Sequence, residues 1–103
     1  AGVRTRHPLE VVVFANEEGQ SYNGLMGSRA MVGELRRSDL AQTDSSGRPL
    51  AEVLKQFGGN PGEIDKAVRT GVRAYLELHV EQGGILDTEG INIGVVEGIV
   101  GIR

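Results

Sequence analysis

The sequence predicts an α/β chain built around a sheet, and three observations carry that prediction. Residues 9–15, LEVVVFA, are almost wholly apolar and rich in valine. Such a run fits a strand buried on both faces of a parallel or mixed sheet. Residues 49–57, PLAEVLKQF, place apolar side chains at 50, 53, 54 and 57, which is helical spacing. Residues 91–102, INIGVVEGIVGI, form a long β-branched run broken by glycines and read as one or two strands.

The elements follow in order. Residues 16–28 are loop-like, with Asn16, Gly19, Asn23, Gly24 and Gly27. Ser28 is placed to cap a helix over 29–35, which Gly33 weakens. Residues 36–48 are polar and contain the turn signal SSGRP. Pro49 suits a helix start, and Gly58 and Gly59 end that helix. GNPG at 59–62 is a loop, and 63–69 form another short helix. Residues 73–80 alternate in part, with Tyr75, Glu77 and His79 on one side and Leu76, Leu78 and Val80 on the other. Both ends, AGVRTR and the run reaching Arg103, look like the interior of something longer.

Composition bounds the function. A chain of 103 residues suffices for one modest domain. Its 11 basic and 14 acidic residues leave a net charge of -3, which argues against a nucleic-acid or anionic-membrane surface. Cysteine is absent, so a metal would need His, Asp or Glu ligands. That absence suits a reducing, cytoplasmic setting. No apolar stretch approaches the roughly 20 residues that span a bilayer, and no signal-peptide pattern opens the chain.

The chemistry concentrates at two places. Glu17 and Glu18 follow the apolar run 9–15 directly, and Gly19 turns the chain. Adjacent carboxylates at a strand's end are costly unless a cation sits beside them. One can hold a metal while the other acts as a base on water. The plainer reading is a solvated loop with two surface glutamates. The second place is LELHVEQGG, residues 76–84. On a strand, His79 shares a face with Glu77 and Glu81. Neutral imidazole ligates zinc or manganese, and a nearby carboxylate can orient its ring. The plainer reading is a satisfied, partly buried histidine. Gln82 offers donor and acceptor together, which suits an amide-like or ureido substrate, or an ordinary turn. His7 has no partners in register and reads as surface. The glycines of ILDTEGINIG match no phosphate-binding pattern.

FANEEG, GLMGSRAMVGEL and AYLELHVEQGGILDTEGINIGVVEGIVG, in this order, resemble the hydantoinase/carbamoylase-type amidohydrolases of the M20 metallopeptidase-like clan. That group includes N-carbamoyl-L-amino-acid hydrolase, β-ureidopropionase and allantoate amidohydrolase. The resemblance covers nearly the whole chain. It implies a segment of the mixed-sheet catalytic domain of a di-metal aminopeptidase-like fold, spanning residues 1–103 and ending near an inserted lid domain.

The resemblance also implies roles. Glu17 matches the general base, Glu18 a ligand of one metal, His79 a ligand of the other, and Gln82 a residue at the substrate side. It implies two divalent ions, zinc or manganese, and hydrolysis of a linear carbamoyl or amidino C–N bond in a small molecule. It further implies a homodimer formed through the lid. The family's remaining ligands lie outside this chain, so little activity is expected of the chain alone. Two departures stand out: Ser21 and Tyr22 replace a common Arg-Phe, and Gly84 replaces a common Pro. The alternative is a non-catalytic α/β module for binding or assembly, favoured by the short length and incomplete ligand set.

Overall fold

A computed structural model describes residues 2–99. The chain forms two units, one ending at Val72 and the other beginning at Arg73.

The first unit holds helices α1 (Met26–Met31) and α2 (Leu50–Gln56), with 3₁₀ segments at Arg37–Ala41 and Pro61–Ala67. Its core is Tyr22, Met26, Leu35, Leu40 and Leu50, with Ala30, Ala51, Val53, Leu54 and Ile64 packed against it. Leu50 is the deepest, at 2% exposure. α2 packs on both 3₁₀ segments, and α1 packs on the second.

α2 matches its sequence signals. Pro49 precedes its first residue with φ −65°, which the pyrrolidine ring pre-sets. Its end is closed by bonds from Gly58 N–H to the Lys55 carbonyl and from Gly59 N–H to the Leu54 carbonyl. This double closure needs a left-handed residue after the cap, and Gly58 supplies it at φ 82°.

α1 departs from expectation. It runs over 26–31 rather than 29–35. Ser28 lies inside it and donates its hydroxyl back to the Leu25 carbonyl at 3.0 Å. Gly33, at φ 80°, closes the helix end in the same way as Gly58, with Glu34 N–H bonded to the Arg29 carbonyl. A residue that adopts this conformation freely stops a helix more readily than it extends one.

The helix expected at 63–69 is a 3₁₀ segment starting at Pro61. The Asn60 side chain accepts from Gly62 N–H at 3.0 Å and sets its first turn. The 3₁₀ turn at Arg37–Ala41 was not legible as a helix. It is held by Asp39, which accepts from Arg36 N–H at 2.9 Å and from Arg29 at 3.0 Å. The Arg36 amide first, and then Arg29, hold the Asp39 carboxyl below its ordinary range.

The strand expectations are not met. Among the described residues no strand forms, and one isolated bridge pairs Thr43 with Pro49. Residues 9–15 carry no ladder, and Val11 and Val13 are 93% and 92% exposed. A strand is completed by a neighbour's backbone groups, and among the described residues the run makes a single such bond, from Gly27 N–H to the Ala15 carbonyl. Glu10 instead pairs with Arg69 at 3.0 Å.

In the second unit, α3 covers Ile85–Glu89, a stretch to which the sequence analysis assigns no element. Residues 73–80 carry no ladder, and Leu76 is 96% exposed. The run expected at 91–102 likewise forms no strand over 91–99, and 100–102 lie outside the described residues. Among the described residues, no helix is long and apolar enough to cross a membrane.

Candidate active-site loop

The acidic pair sits on a loop whose backbone is held on both sides. Three amides near α1 bond back to its first arm: Leu25 N–H to the Glu17 carbonyl at 2.9 Å, Met26 N–H to Asn16 at 3.4 Å, and Gly27 N–H to Ala15 at 3.1 Å. Across the base of the loop, the Asn16 side-chain amide donates to the Tyr22 carbonyl at 3.3 Å and the Asn23 carbonyl at 3.0 Å. Gly19 and Gly24 pass so closely that a Cβ on Gly19 would meet the Gly24 backbone at 2.9 Å. Neither position accepts a side chain without moving the loop.

Two longer ties fix the loop to the rest of its unit. Asn23 N–H donates to Gln42 Oε1 at 3.1 Å, and the Tyr22 hydroxyl donates to the Arg48 carbonyl at 3.0 Å. The Tyr22 ring is buried, and that burial pushes its hydroxyl up from the ordinary value.

The backbone is therefore constrained while both carboxylates face solvent: Glu17 and Glu18 are exposed. They border a groove of about 550 Å³ whose apolar wall includes Phe14, Met26, Leu50, Val53 and Phe57. Ser21 and Tyr22 also line it. A charged rim on an apolar wall can orient a small molecule with one polar and one apolar end.

His79 and Gln82 lie in the second unit. His79 is exposed, and its Nδ1 lies 2.5 Å from the Val80 carbonyl oxygen. The expectation that a carboxylate orients this ring is corrected. Glu77 is engaged by the Tyr75 hydroxyl, and Glu81 accepts from Ile85 and Leu86 N–H at 3.0 and 3.2 Å, capping α3. The cap draws the chain into a turn, with Gln82 left-handed at φ 55°.

The donors are of the right kind for zinc or manganese, namely carboxylate oxygen and imidazole nitrogen. Their number falls short. Among the described residues no three His, Asp or Glu side chains come together to hold an ion, and a stable site of this type takes three or four protein ligands.

Sequence reasoning missed Asn16 as anything but a loop residue. The available signal was its position directly before the acidic pair, in a residue type that tolerates positive φ.

Comparison with known proteins supplies the wider frame. Peptidase family M20/M25/M40 matches residues 1–100. An N-carbamoyl-L-amino acid amidohydrolase of Geobacillus stearothermophilus is 46% identical over 98% of this chain and 25% of its own length. One from Paenarthrobacter aurescens is 41% identical over 99% of this chain and 26% of its own. An allantoate amidohydrolase of Escherichia coli is 34% identical over 92% of this chain and 24% of its own. The chain thus spans about a quarter of the length of the curated relatives it matches. On the match across residues 1–100, the chain belongs to peptidase family M20/M25/M40.

Proposed function

We propose that this chain is part of the catalytic domain of a metal-dependent amidohydrolase that cleaves a linear carbamoyl or ureido C–N bond in a small molecule. The observation that carries the reading is the 46% identity, over 98% of the chain, to an N-carbamoyl-L-amino acid amidohydrolase. In this reading Glu17 takes the proton of the attacking water and returns it to the leaving nitrogen. Glu18 and His79 each contribute one donor to a two-ion centre of zinc or manganese, completed by residues outside this chain. Gln82 holds the ureido group through its paired donor and acceptor.

The same reading gives the unpaired apolar runs a place. Residues 9–15, 73–80 and 91–102 join a mixed α/β sheet in the complete domain, which covers the faces that 9–13, 73–80 and 91–99 expose here. Dimerisation through a lid domain and a cytoplasmic setting belong to this proposal as well. A second reading, a non-catalytic α/β module, is favoured by the lack of any three-ligand cluster among the described residues.

The test uses the full-length protein, loaded in turn with zinc and manganese and assayed on N-carbamoyl-L-amino acids, ureidopropionate and allantoate. Hydrolysis that falls by about 10²-fold or more in Glu17→Gln is the expected result. A folded, metal-loaded protein that hydrolyses none of them supports the binding module instead.

A further inference from the structure

We propose that Asn16 is a positioning residue that sets how Glu17 and Glu18 are presented to the reacting groups. The inference rests on the reading of that pair as base and metal ligand. It stands on two observations about one residue. Asn16 is one of three non-glycine residues with positive φ among those described, at 49°. Its side-chain amide is also the strut across the loop, donating to the Tyr22 and Asn23 carbonyls.

These demands together single out asparagine. The backbone conformation is open to Gly, Asn and Asp at low cost and disfavours most other side chains. The strut needs a short side chain with two N–H donors. Aspartate accepts the backbone but presents a carboxylate to two carbonyl oxygens. Glycine accepts the backbone and has no strut. Glutamine has the donors but pays both the backbone cost and an added methylene.

The placement makes this a matter of chemistry as well as stability. Asn16 directly precedes Glu17, so rotation about its backbone swings both carboxylates. The two carbonyls it holds belong to Tyr22 and Asn23, which are themselves tied to Arg48 and Gln42. The strut therefore references the acidic pair to the segment leading into α2. A shift of about 1 Å in a reacting group can lower turnover by about 10²-fold.

The test compares Asn16→Gly, Asn16→Asp and Glu17→Gln in the full-length protein at saturating metal, with kcat, KM and thermal midpoint measured for each. The expected result is a kcat lower by about 10²-fold in both Asn16 variants, with KM changed by less than about threefold. The inference is overturned if either folded variant keeps kcat within about twofold while only its midpoint falls. It is equally overturned if neither variant folds, because the residue is then structural. Should Glu17→Gln retain full activity, the reading of the acidic pair fails and takes this inference with it. Loss in Glu17→Gln with activity kept in the Asn16 variants sinks this inference alone.

Discussion

The Tyr22 hydroxyl donates to the Arg48 carbonyl at 3.0 Å, joining the acidic loop to the turn before α2. The ring lies in the core beside Met26 and Leu50. Tyr22→Phe keeps the ring and removes the bond, leaving the Arg48 carbonyl without this donor. The expected outcome is a thermal midpoint lower by roughly 5 °C, read by circular dichroism melts. An unchanged midpoint means that the contact does not hold the loop.

Asp44 gives the turn a pH dependence. Its carboxylate accepts from the Ser46 hydroxyl at 2.6 Å and from Arg48 N–H at 3.0 Å, and its side chain is 7% exposed. The Ser46 hydroxyl first, then the Arg48 amide, hold the carboxyl far below its ordinary value of 3.8. A depressed acid stabilises the fold fully above the unfolded-state value and progressively less as pH falls below it. Melts from pH 6 to pH 3 should show a falling midpoint, with a shallower fall in Asp44→Asn. Equal slopes in the two proteins count against the assignment.

The lack of a three-ligand cluster among the described residues predicts the behaviour of the chain on its own. Calorimetric titration of Zn²⁺ or Mn²⁺ into it should give no saturable isotherm at micromolar protein, and His79→Ala should change nothing. The physical reason is ligand count, since a single imidazole or carboxylate competes poorly with water for the ion. Tight binding that disappears in His79→Ala shows that two copies, or a rearranged chain, build a site.

The unpaired β-branched run is a further liability. Val95 and Val96 are exposed, at 90% and 72%, in a stretch of high β-propensity with little charge. Sedimentation velocity of the isolated chain should show association that grows with concentration, and Val95→Lys should shift it toward monomer. Monomeric behaviour across the series means that the run is protected in solution.

How much was legible can be traced to particular residues. The helix after Pro49 was readable because its signals are local: a proline at the start, apolar spacing of three and four, and glycines at the end. Gly33 was read with the right chemistry and the wrong consequence, since the same left-handed preference that weakens a helix also closes one. The run 9–15 was read as a strand from its valines. That inference needs a partner which local pattern does not supply. Asn16 was invisible as a strut because its partners, the Tyr22 and Asn23 carbonyls, are backbone groups that every residue carries.

The sequence by itself determined membership in peptidase family M20/M25/M40 and the site of α2. These follow from residue type and short spacing, which the chain states directly. The tertiary structure alone decided that the acidic pair rides on a loop braced by Asn16, Tyr22 and Gln42, and that Glu81 caps α3 instead of facing His79. Both depend on hydrogen bonds that the folded backbone selects from many equivalent donors and acceptors, a choice that residue type and spacing leave open.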